Sequence, residues 1–220
     1  MYTEKSINLL IIAILLLPSF TPHRCVTTTD QGLYWGIEVG DRFDFYFTRE
    51  TFWNEYETTT YDYYIIADSL PLLPDSIGGR PLVTWRYYSS IEDYHERSIA
   101  SDRLVFPIGN WTTWTDLFSQ ASGPYTISDT IWTWSLSYSL NDTWARGTRT
   151  DEHYIYSKFD GVLIFESYAV VNQTTNSLIV RDQYTRTSYI APEFLIFISA
   201  ISIGVISLII VTYRRRSRRQ

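Results

Sequence analysis

The chain contains one cysteine in 220 residues, so it can form no internal disulfide bond. Secreted animal and plant domains commonly carry disulfides, so their absence favours a prokaryotic, archaeal cell surface. A domain of about 165 residues can do without them, since it buries roughly two-thirds of its surface on folding. Cys25 follows Pro22, His23 and Arg24 rather than the small residues that precede a lipidated cysteine. This excludes a lipoprotein anchor.

Histidine is also scarce, and no standard catalytic or cofactor motif is present. His95 and His153 each follow an aspartate by two residues, Asp93 and Asp151, and would share a strand face with it. Two ligands do not make a zinc site. The sequence contains no H-E-x-x-H, G-x-S-x-G, Walker or dinucleotide-binding pattern. We therefore expect no metal, no cofactor and no enzymatic activity, with the paired carboxylates of a glycoside hydrolase as the alternative.

Basic residues are few between Cys25 and Glu193, where eleven of them stand against twenty-three acids, a net charge of −12. Nucleic acids and anionic membrane surfaces are bound by basic patches. We therefore expect no nucleic-acid partner. An acidic surface of this kind is typical of a charge that keeps a domain soluble.

Long hydrophobic runs occur only at the two ends. Near the N-terminus, Lys5 precedes nine apolar residues, 9–17, which end at Pro18. Nine residues are too few to span a bilayer, which needs about 20, but they suit the apolar region of a signal peptide. Residues 1–27 are therefore assigned to a signal peptide without a clear cleavage site. A buried core helix is the alternative.

The second run, residues 194–213, contains no charge and as a helix would be about 30 Å long, the thickness of the hydrocarbon core. Five arginines follow it: Arg214, Arg215, Arg216, Arg218 and Arg219. Such a cluster marks the cytoplasmic side, whereas a nuclear or nucleic-acid signal would not be expected beside a membrane span. We predict a single-pass plasma-membrane protein with residues 28–190 outside and 214–220 in the cytoplasm.

The sequence between these runs is rich in aromatic and β-branched residues in period-2 alternation, the pattern of half-buried strands. Residues 34–47 and 132–140 show it most clearly. We predict an α+β, mainly β fold, a curved antiparallel sheet of about seven to ten strands. A β-sandwich is the alternative. In the first strand, Gly40-Asp41 is expected to form a bulge in one continuous strand, with Asp41 accepting a backbone hydrogen bond. A ligand-binding role for Asp41 is the other hypothesis.

Two local signals interrupt the strands. Asp160-Gly161 predicts a two-residue hairpin turn, because glycine accepts positive φ freely. After Asn110, which can cap a helix, Trp111, Trp114 and Phe118 lie on one helical face together with Leu117. We expect one short amphipathic helix there, packed against the concave face of the sheet and ended by Gly123-Pro124.

Eight tryptophans are the last feature, because aromatic faces can stack on sugars or line a lipid cavity. The candidate ligand contacts are Trp53, Trp85, Trp111 and Trp114. Core packing is the alternative for the tryptophans that fit the periodic pattern, whereas Trp53, Trp85 and Trp144 are expected to be exposed. Three N-glycosylation sequons begin at Asn110, Asn141 and Asn172, the last two in predicted turns.

Several of these features together resemble a known group. The opening W-G-x-x-x-G-D-x-F-x-F pattern of residues 35–45, the segment PIGNW (107–111) and the segment DGVL (160–163), between a signal peptide and a membrane span, resemble archaeal, Asgard-type membrane-anchored surface proteins of the "choice-of-anchor" kind, which remain uncharacterised. The resemblance covers most of residues 1–220. It implies a surface binding or adhesion module.

At the level of the fold, the predicted sheet and helix are also similar to LolA-like lipoprotein carriers, which hold lipid in a concave sheet. That likeness implies a lipid- or isoprenoid-binding domain as the alternative function. A membrane anchor departs from such carriers, which shuttle between membranes. The ligand expected from both resemblances is a lipid, a glycan or another surface protein.

Overall fold

The computed structural model describes residues 28–53, 55–92, 95–121, 123–141 and 147–189, together with Ser207 and Ile210. The predicted signal peptide (1–27), the predicted transmembrane helix (194–213) and the arginine tail lie outside the described residues, apart from Ser207 and Ile210. Within the described ranges, no helix has the length and apolar character needed to span a membrane.

One antiparallel sheet of nine strands dominates the described residues, which confirms the mainly β prediction and its strand number. The strands are β1 (Arg42–Thr51), β2 (Glu57–Ser69), β3 (Val83–Ser89), β4 (Arg97–Ser101), β5 (Tyr125–Asp129), β6 (Thr133–Asn141), β7 (Thr148–Ser157), β8 (Leu163–Asn172) and β9 (Leu178–Arg186). Their spatial order is β4-β3-β2-β1-β9-β8-β7-β6-β5. Over the same ranges no second sheet is formed, so the β-sandwich alternative does not apply.

The sheet consists of two meanders that meet at its centre. Strands β1 to β4 run outward to one edge, and β5 to β9 run inward from the other edge until β9 pairs with β1. Phe47 at this junction lies opposite Tyr61 on β2 and opposite Tyr184 on β9. Because β4 and β5 are the two edge strands, the segment that joins them, 102–124, has to cross the sheet.

The face that this segment crosses carries the core and is called the inner face below. Residues two apart along each strand share a face, so the apolar series of the strands converge there. The largest fully buried side chains of the described residues are Trp85, Trp114, Trp134, Tyr154, Tyr156, Phe45, Phe106, Leu33, Ile65, Leu136, Leu163 and Val83. Burial of this many large side chains is the main source of stability.

The crossing segment contains the helix α1 (Trp111–Gln120), at the predicted position. Its buried residues Trp111, Trp114 and Phe118 surround Phe106, whose ring centroid lies 4.6 Å from that of Trp114. Isolated bridges at Val105 and Ile108 tie the approach to the helix to other parts of the inner face. Asn110 occupies the N-cap position, but its side chain makes no capping bond and donates instead to the Gln31 carbonyl.

The first strand begins at Arg42, so the prediction of one continuous strand through Gly40-Asp41 is wrong. Residues 38–41 form a turn in which the Asp41 N–H donates to the Glu38 carbonyl at 3.1 Å. The Asp41 carboxylate accepts the Glu38 N–H at 2.8 Å. Tyr34 pairs with Ile108 of the crossing segment instead of joining the sheet. An extended segment that covers a core shows the same alternation as a strand, which explains the error.

The β7–β8 hairpin lies where Asp160-Gly161 predicted it, but its loop has four residues, 158–161, rather than two. The Ser157 N–H donates to the Val162 carbonyl across the loop at 3.0 Å. Gly161 has a φ of 75°, and the Asp160 carboxylate accepts the Val162 N–H at 3.0 Å. The positive φ therefore occurs at Gly161, as the sequence predicted, but in a turn that is longer than the predicted one.

The two edge strands are short. Strand β4 ends at Ser101, because residues 104–108 leave the sheet and cross the inner face. Strand β5 was not predicted. It is a five-residue edge strand of low hydrophobicity whose formation depends on pairing with β6.

Candidate functional site

Two rows of inner-face side chains lie next to the area that the helix and the crossing segment cover. The strand register identifies their members, since residues directly opposite one another point to the same face. We call these rows the tyrosine strip, in which most side chains are half-buried whereas Tyr154 and Asp182 are buried. It comprises Arg49, Tyr61, Tyr125, Tyr138, Glu152, Tyr154, Glu166, Tyr168, Asp182 and Tyr184. The strip crosses the sheet from β2 to β5.

The local sequence places these groups by a simple repeat. On each of three consecutive strands an acid precedes a tyrosine by two residues: Glu152 and Tyr154 on β7, Glu166 and Tyr168 on β8, and Asp182 and Tyr184 on β9. Antiparallel pairing then sets each acid opposite a tyrosine of the neighbouring strand, as Glu166 lies opposite both Tyr154 and Tyr184. Acids and phenols therefore alternate along and across the strip.

Glu152 is the centre of a closed hydrogen-bond network. Tyr138 donates its hydroxyl to the Glu152 carboxylate at 2.5 Å, and Tyr154 donates to the same oxygen. Arg103, from the crossing segment, donates to the Tyr154 hydroxyl at 3.0 Å and lies 3.7 Å from the Glu152 carboxylate. Burial and the bond to Glu152 raise the pKa of Tyr138 to about 12. The carboxylate of Glu152 is thus held by protein groups.

The Asp182 carboxylate is also hydrogen-bonded by a protein side chain. Arg49 forms two parallel hydrogen bonds to this carboxylate, at 2.7 and 2.6 Å. The pKa of the Arg49 guanidinium is raised, chiefly by this hydrogen bond. Bidentate pairs of this kind are among the stronger charge-assisted contacts, and this one joins the two meanders, because Arg49 is on β1 and Asp182 on β9.

Glu166 differs from Glu152 and Asp182 in its hydrogen bonding. Its carboxyl group lies between Tyr154 and Tyr184, and it makes no hydrogen bond with any side chain of the described residues. Burial raises its pKa to about 7; nearby Arg103 and Arg80 oppose this shift, whereas Glu152 and Asp182 add to it. Glu166 is half-buried, and its carboxyl oxygens are not among the fully buried polar atoms that lack a partner. It is therefore the acid of the strip that no protein side chain holds, and it is open to a hydrogen bond from a ligand.

Arg80 supplies a cation near the same area. Its guanidinium lies 5.0 Å from the ring centroid of Phe118, 5.5 Å from that of Phe106 and 5.9 Å from that of Tyr154. Within the described ranges no carboxylate comes within ion-pair distance of it. Arg80 is thus held by cation–π contacts, and its N–H groups are available as donors. Together with Glu166 and the tyrosine rings, it offers a donor, an acceptor and stacking surfaces.

In the part of the chain that the structure describes, no cluster of three or more metal-ligating side chains occurs. His153 lies on the outer face of β7, with its ring edge against Phe165 at 6.1 Å. Burial lowers its pKa, which favours a neutral imidazole. His95 is exposed, and Asp93 lies outside the described residues.

Three of the four candidate tryptophans are core residues. Trp85, Trp111 and Trp114 are 0%, 7% and 0% exposed, so the expectation that Trp85 would be exposed is wrong. Trp85 packs edge-on against Phe43, with ring centroids 6.2 Å apart. Only Trp53 is exposed, at 76%, at the tip of the β1–β2 hairpin. Trp144 lies outside the described residues.

The three sequon asparagines all lie at the ends of elements. Asn110 and Asn141 are exposed, and Asn172 is half-buried at the end of β8. The Asn141 carbonyl accepts a hydrogen bond from Gln173 at 2.6 Å, and the Asn172 carbonyl accepts the N–H groups of Thr174 and Thr175. The rest of the Asn141 sequon lies outside the described residues.

Two open depressions, of about 520 and 590 Å³, lie mainly on the outer face. The first is lined by Arg42, Asp62 and Tyr64, and the second by Ser137, His153 and Ser167 among others. Neither lies beneath α1, where aromatic rings fill the space.

Sequence reasoning did not find the strip. The acid-x-Tyr repeat was the available signal, but a pattern along one strand does not reveal which strands become neighbours. No protein-family model, curated protein or solved structure matches the chain.

Proposed function

We propose that this chain is a single-pass, membrane-anchored cell-surface protein whose extracellular sheet domain is a non-catalytic binding module, and that the tyrosine strip binds a neutral glycan. The observation that carries the proposal is Glu166, a half-buried carboxyl set among tyrosine rings that makes no hydrogen bond with a side chain of the described residues. A ligand hydroxyl would satisfy it.

The membrane anchor is supported by the sequence. Residues 194–213 are uncharged and five arginines follow them, which is the pattern of a span with its C-terminus in the cytoplasm. The apolar run 9–17 behind Lys5 supports export of the domain. The resemblance to archaeal surface proteins of the "choice-of-anchor" kind is in keeping with this arrangement.

The chemistry of the strip favours a glycan. Sugars present C–H faces that stack on aromatic rings and hydroxyl groups that both donate and accept hydrogen bonds. The half-buried rings of Tyr168 and Tyr184 offer such faces, Glu166 offers an acceptor and Arg80 offers donors. Since two of the three acids in the strip are already neutralised by arginines, a neutral sugar fits better than a charged one.

A lipid- or isoprenoid-binding role is less favoured. Such a ligand needs an enclosed apolar space between helix and sheet. Beneath α1, the ring centroids of Trp111 and Trp134 are 5.9 Å apart and those of Phe106 and Trp114 are 4.6 Å apart. That packing leaves little room for an acyl chain. A hydrolase is less favoured too, because Glu152, the second carboxyl near Glu166, is fully engaged by Tyr138, Tyr154 and Arg103.

The test is glycan binding by the 220-residue chain in lipid nanodiscs, on an array that includes neutral cell-surface polysaccharides. We expect the wild-type chain to retain a neutral glycan, and Glu166→Gln and Tyr168→Ala to weaken that binding at least tenfold. Tyr46→Ala is the matched control, because Tyr46 is an exposed tyrosine on the outer face. Binding that the strip variants leave unchanged, or co-purified lipid without glycan binding, would refute the proposal.

A further inference from the structure

The connections of the sheet alternate between its two ends because all strands are antiparallel. The end at which β9 terminates, called the exit end, also carries the turn 38–41 before β1 and the connections 70–82, 130–132 and 158–161. Each of these segments exposes a large apolar side chain, among them Leu72, 96% exposed, Ile131, 80% exposed, and Phe159. The opposite end also exposes apolar side chains, among them Phe52, Trp53 and Ile91. Exposure alone therefore does not decide which end is a contact surface, and the composition of the exit end and its distance from the membrane have to do so.

Two of these segments form a joined patch. The ring of Phe159 stacks on that of Trp132, with centroids 5.6 Å apart and planes at 10°. The acids of the same two turns are neutralised, since Asp129 pairs with Lys158 and Asp160 pairs with Arg186 at 2.8 Å. A tryptophan beside apolar side chains and neutralised acids is the composition that favours the lipid–water interface.

The chain length after β9 places this end close to the membrane. Four residues, 190–193, lie between Tyr189, the last described residue before the predicted span, and Phe194. The five steps from Tyr189 to Phe194 can extend over at most about 17 Å. The headgroup layer takes up roughly 5–8 Å of that distance on each side of the hydrocarbon core. The opposite end of the sheet is about 30 Å further away, since the central strands have about ten residues.

We propose that the exit end of the sheet docks on the outer leaflet of the membrane that holds the anchor, with Leu72, Ile131 and Phe159 among the lipid headgroups. This inference rests on the proposed membrane anchor. Docking holds the strands upright on the membrane. The tyrosine strip begins three to five residues from the exit end, at the level of Tyr184, Glu166 and Tyr154. It then lies roughly 10–15 Å above the lipid surface.

The experiment uses the 220-residue chain reconstituted in vesicles of neutral lipid, with Cys25→Ser removing its single native thiol. Single cysteines introduced as Ile131→Cys, Leu72→Cys and Trp53→Cys are labelled with a nitroxide. Trp53 is the matched control because it is as exposed as Ile131 but lies at the opposite end. The measurement is the collision rate of each label with oxygen, which concentrates in lipid, relative to that with a water-soluble nickel chelate.

We expect the ratio of oxygen to nickel collisions to be severalfold higher at positions 131 and 72 than at position 53. Alkaline carbonate extraction of the same vesicles separates the two ways of failing. A chain that resists extraction but shows equal ratios at positions 131 and 53 overturns the docking alone. A chain that carbonate removes overturns the anchor, and the docking with it.

Discussion

Gly161 lies at a point where three segments of the chain meet. Its φ of 75° is in the left-handed region that favours glycine. A Cβ at this position would also run into the carbonyl oxygen of Phe106 and lie 3.0 Å from the side chain of Ile108. Gly36 is equally confined, since its Cβ would lie 2.8 Å from the backbone of Asp160. The loop of the β7–β8 hairpin is therefore packed directly against both covering segments.

Gly161 is constrained both by its positive φ and by the close contact with Phe106 and Ile108. Comparing Gly161→Ala with Gly147→Ala separates the cost of the first from the cost of the second. Gly147 has a similar φ, 86°, but open space around it. We expect Gly147→Ala to cost about 1–2 kcal/mol for the backbone conformation alone, and Gly161→Ala to cost about 1–3 kcal/mol more, because the crossing segment must move. Urea unfolding of the detergent-solubilised chains measures both. Equal losses would mean that the hairpin loop is not in close contact with Phe106.

The ionisation of Glu166 is also governed by the immediate surroundings of a single residue. Six groups face it from the neighbouring strands and the covering segments: Arg80, Arg103, Glu152, Tyr154, Asp182 and Tyr184. Burial dominates over the two arginines, so the pKa of the folded protein is about 7, against an ordinary value of 4.5. The unfolded chain thus loses this proton at a lower pH than the folded chain, and folding becomes less favourable as pH rises between these two values.

Glu166→Gln, which cannot ionise, isolates this contribution. The variant should be more stable than the wild type above about pH 7, by up to about 2–3 kcal/mol, and the difference should vanish below about pH 4.5. Unfolding free energies of both chains at about pH 4 and pH 8 give the comparison. If the difference were the same at both values, Glu166 would be ionised without penalty and its burial would be less than the structure indicates.

At the scale of elements, helix α1 is attached to the sheet by indole hydrogen bonds as well as by packing. Trp114 donates from its ring nitrogen to the Pro107 carbonyl at 2.9 Å, and Trp134 on β6 donates to the Thr115 hydroxyl at 3.0 Å. Not every indole is satisfied, because the ring nitrogens of Trp85 and Trp111 are buried without a partner in the described residues. The Trp134–Thr115 bond is therefore a specific link between sheet and helix.

Thr115→Val removes the acceptor of this bond while keeping the shape of the side chain. The Trp134 N–H would then lack a partner, and we expect a loss of about 1–3 kcal/mol. Thr112→Val, on the exposed side of the same helix, is the control and should change stability by less than about 0.5 kcal/mol. Should both variants behave alike, the helix is held by aromatic packing alone.

The whole molecule is organised around the pairing of its first and last strands. β1 and β9 meet at the centre of the sheet although about 140 residues separate Phe45 from Arg186. The bidentate Arg49–Asp182 pair and the contact of Arg186 with the Phe43 ring, 4.7 Å from its centroid, lie at this junction. The two meanders thus become one sheet only when the described chain is nearly complete, and the tyrosine strip, which spans the junction, forms at the same step.

The sequence by itself determined those properties that depend on neighbouring residues. Alternation along 132–140 and the abundance of aromatic residues predicted a mainly β fold, the spacing of Trp111, Trp114 and Phe118 predicted a helix, and Asp160-Gly161 predicted the position of a positive φ. Each of these signals arises within a few residues, because backbone geometry alone sets a period of 2 or 3.6.

Only the tertiary structure decided which strands became neighbours and which part of the inner face was covered. The alternation of residues 34–39 belongs to a segment that pairs with Ile108 rather than to a strand of the sheet, and Trp85 is fully buried against Phe43 of another strand. Arg103 of the crossing segment bonds Tyr154 and pairs with Glu152, whereas Glu166, opposite Tyr154 on the next strand, makes no hydrogen bond with a side chain of the described residues. Such differences follow from long-range pairing and from the path of residues 102–124, which no local pattern encodes.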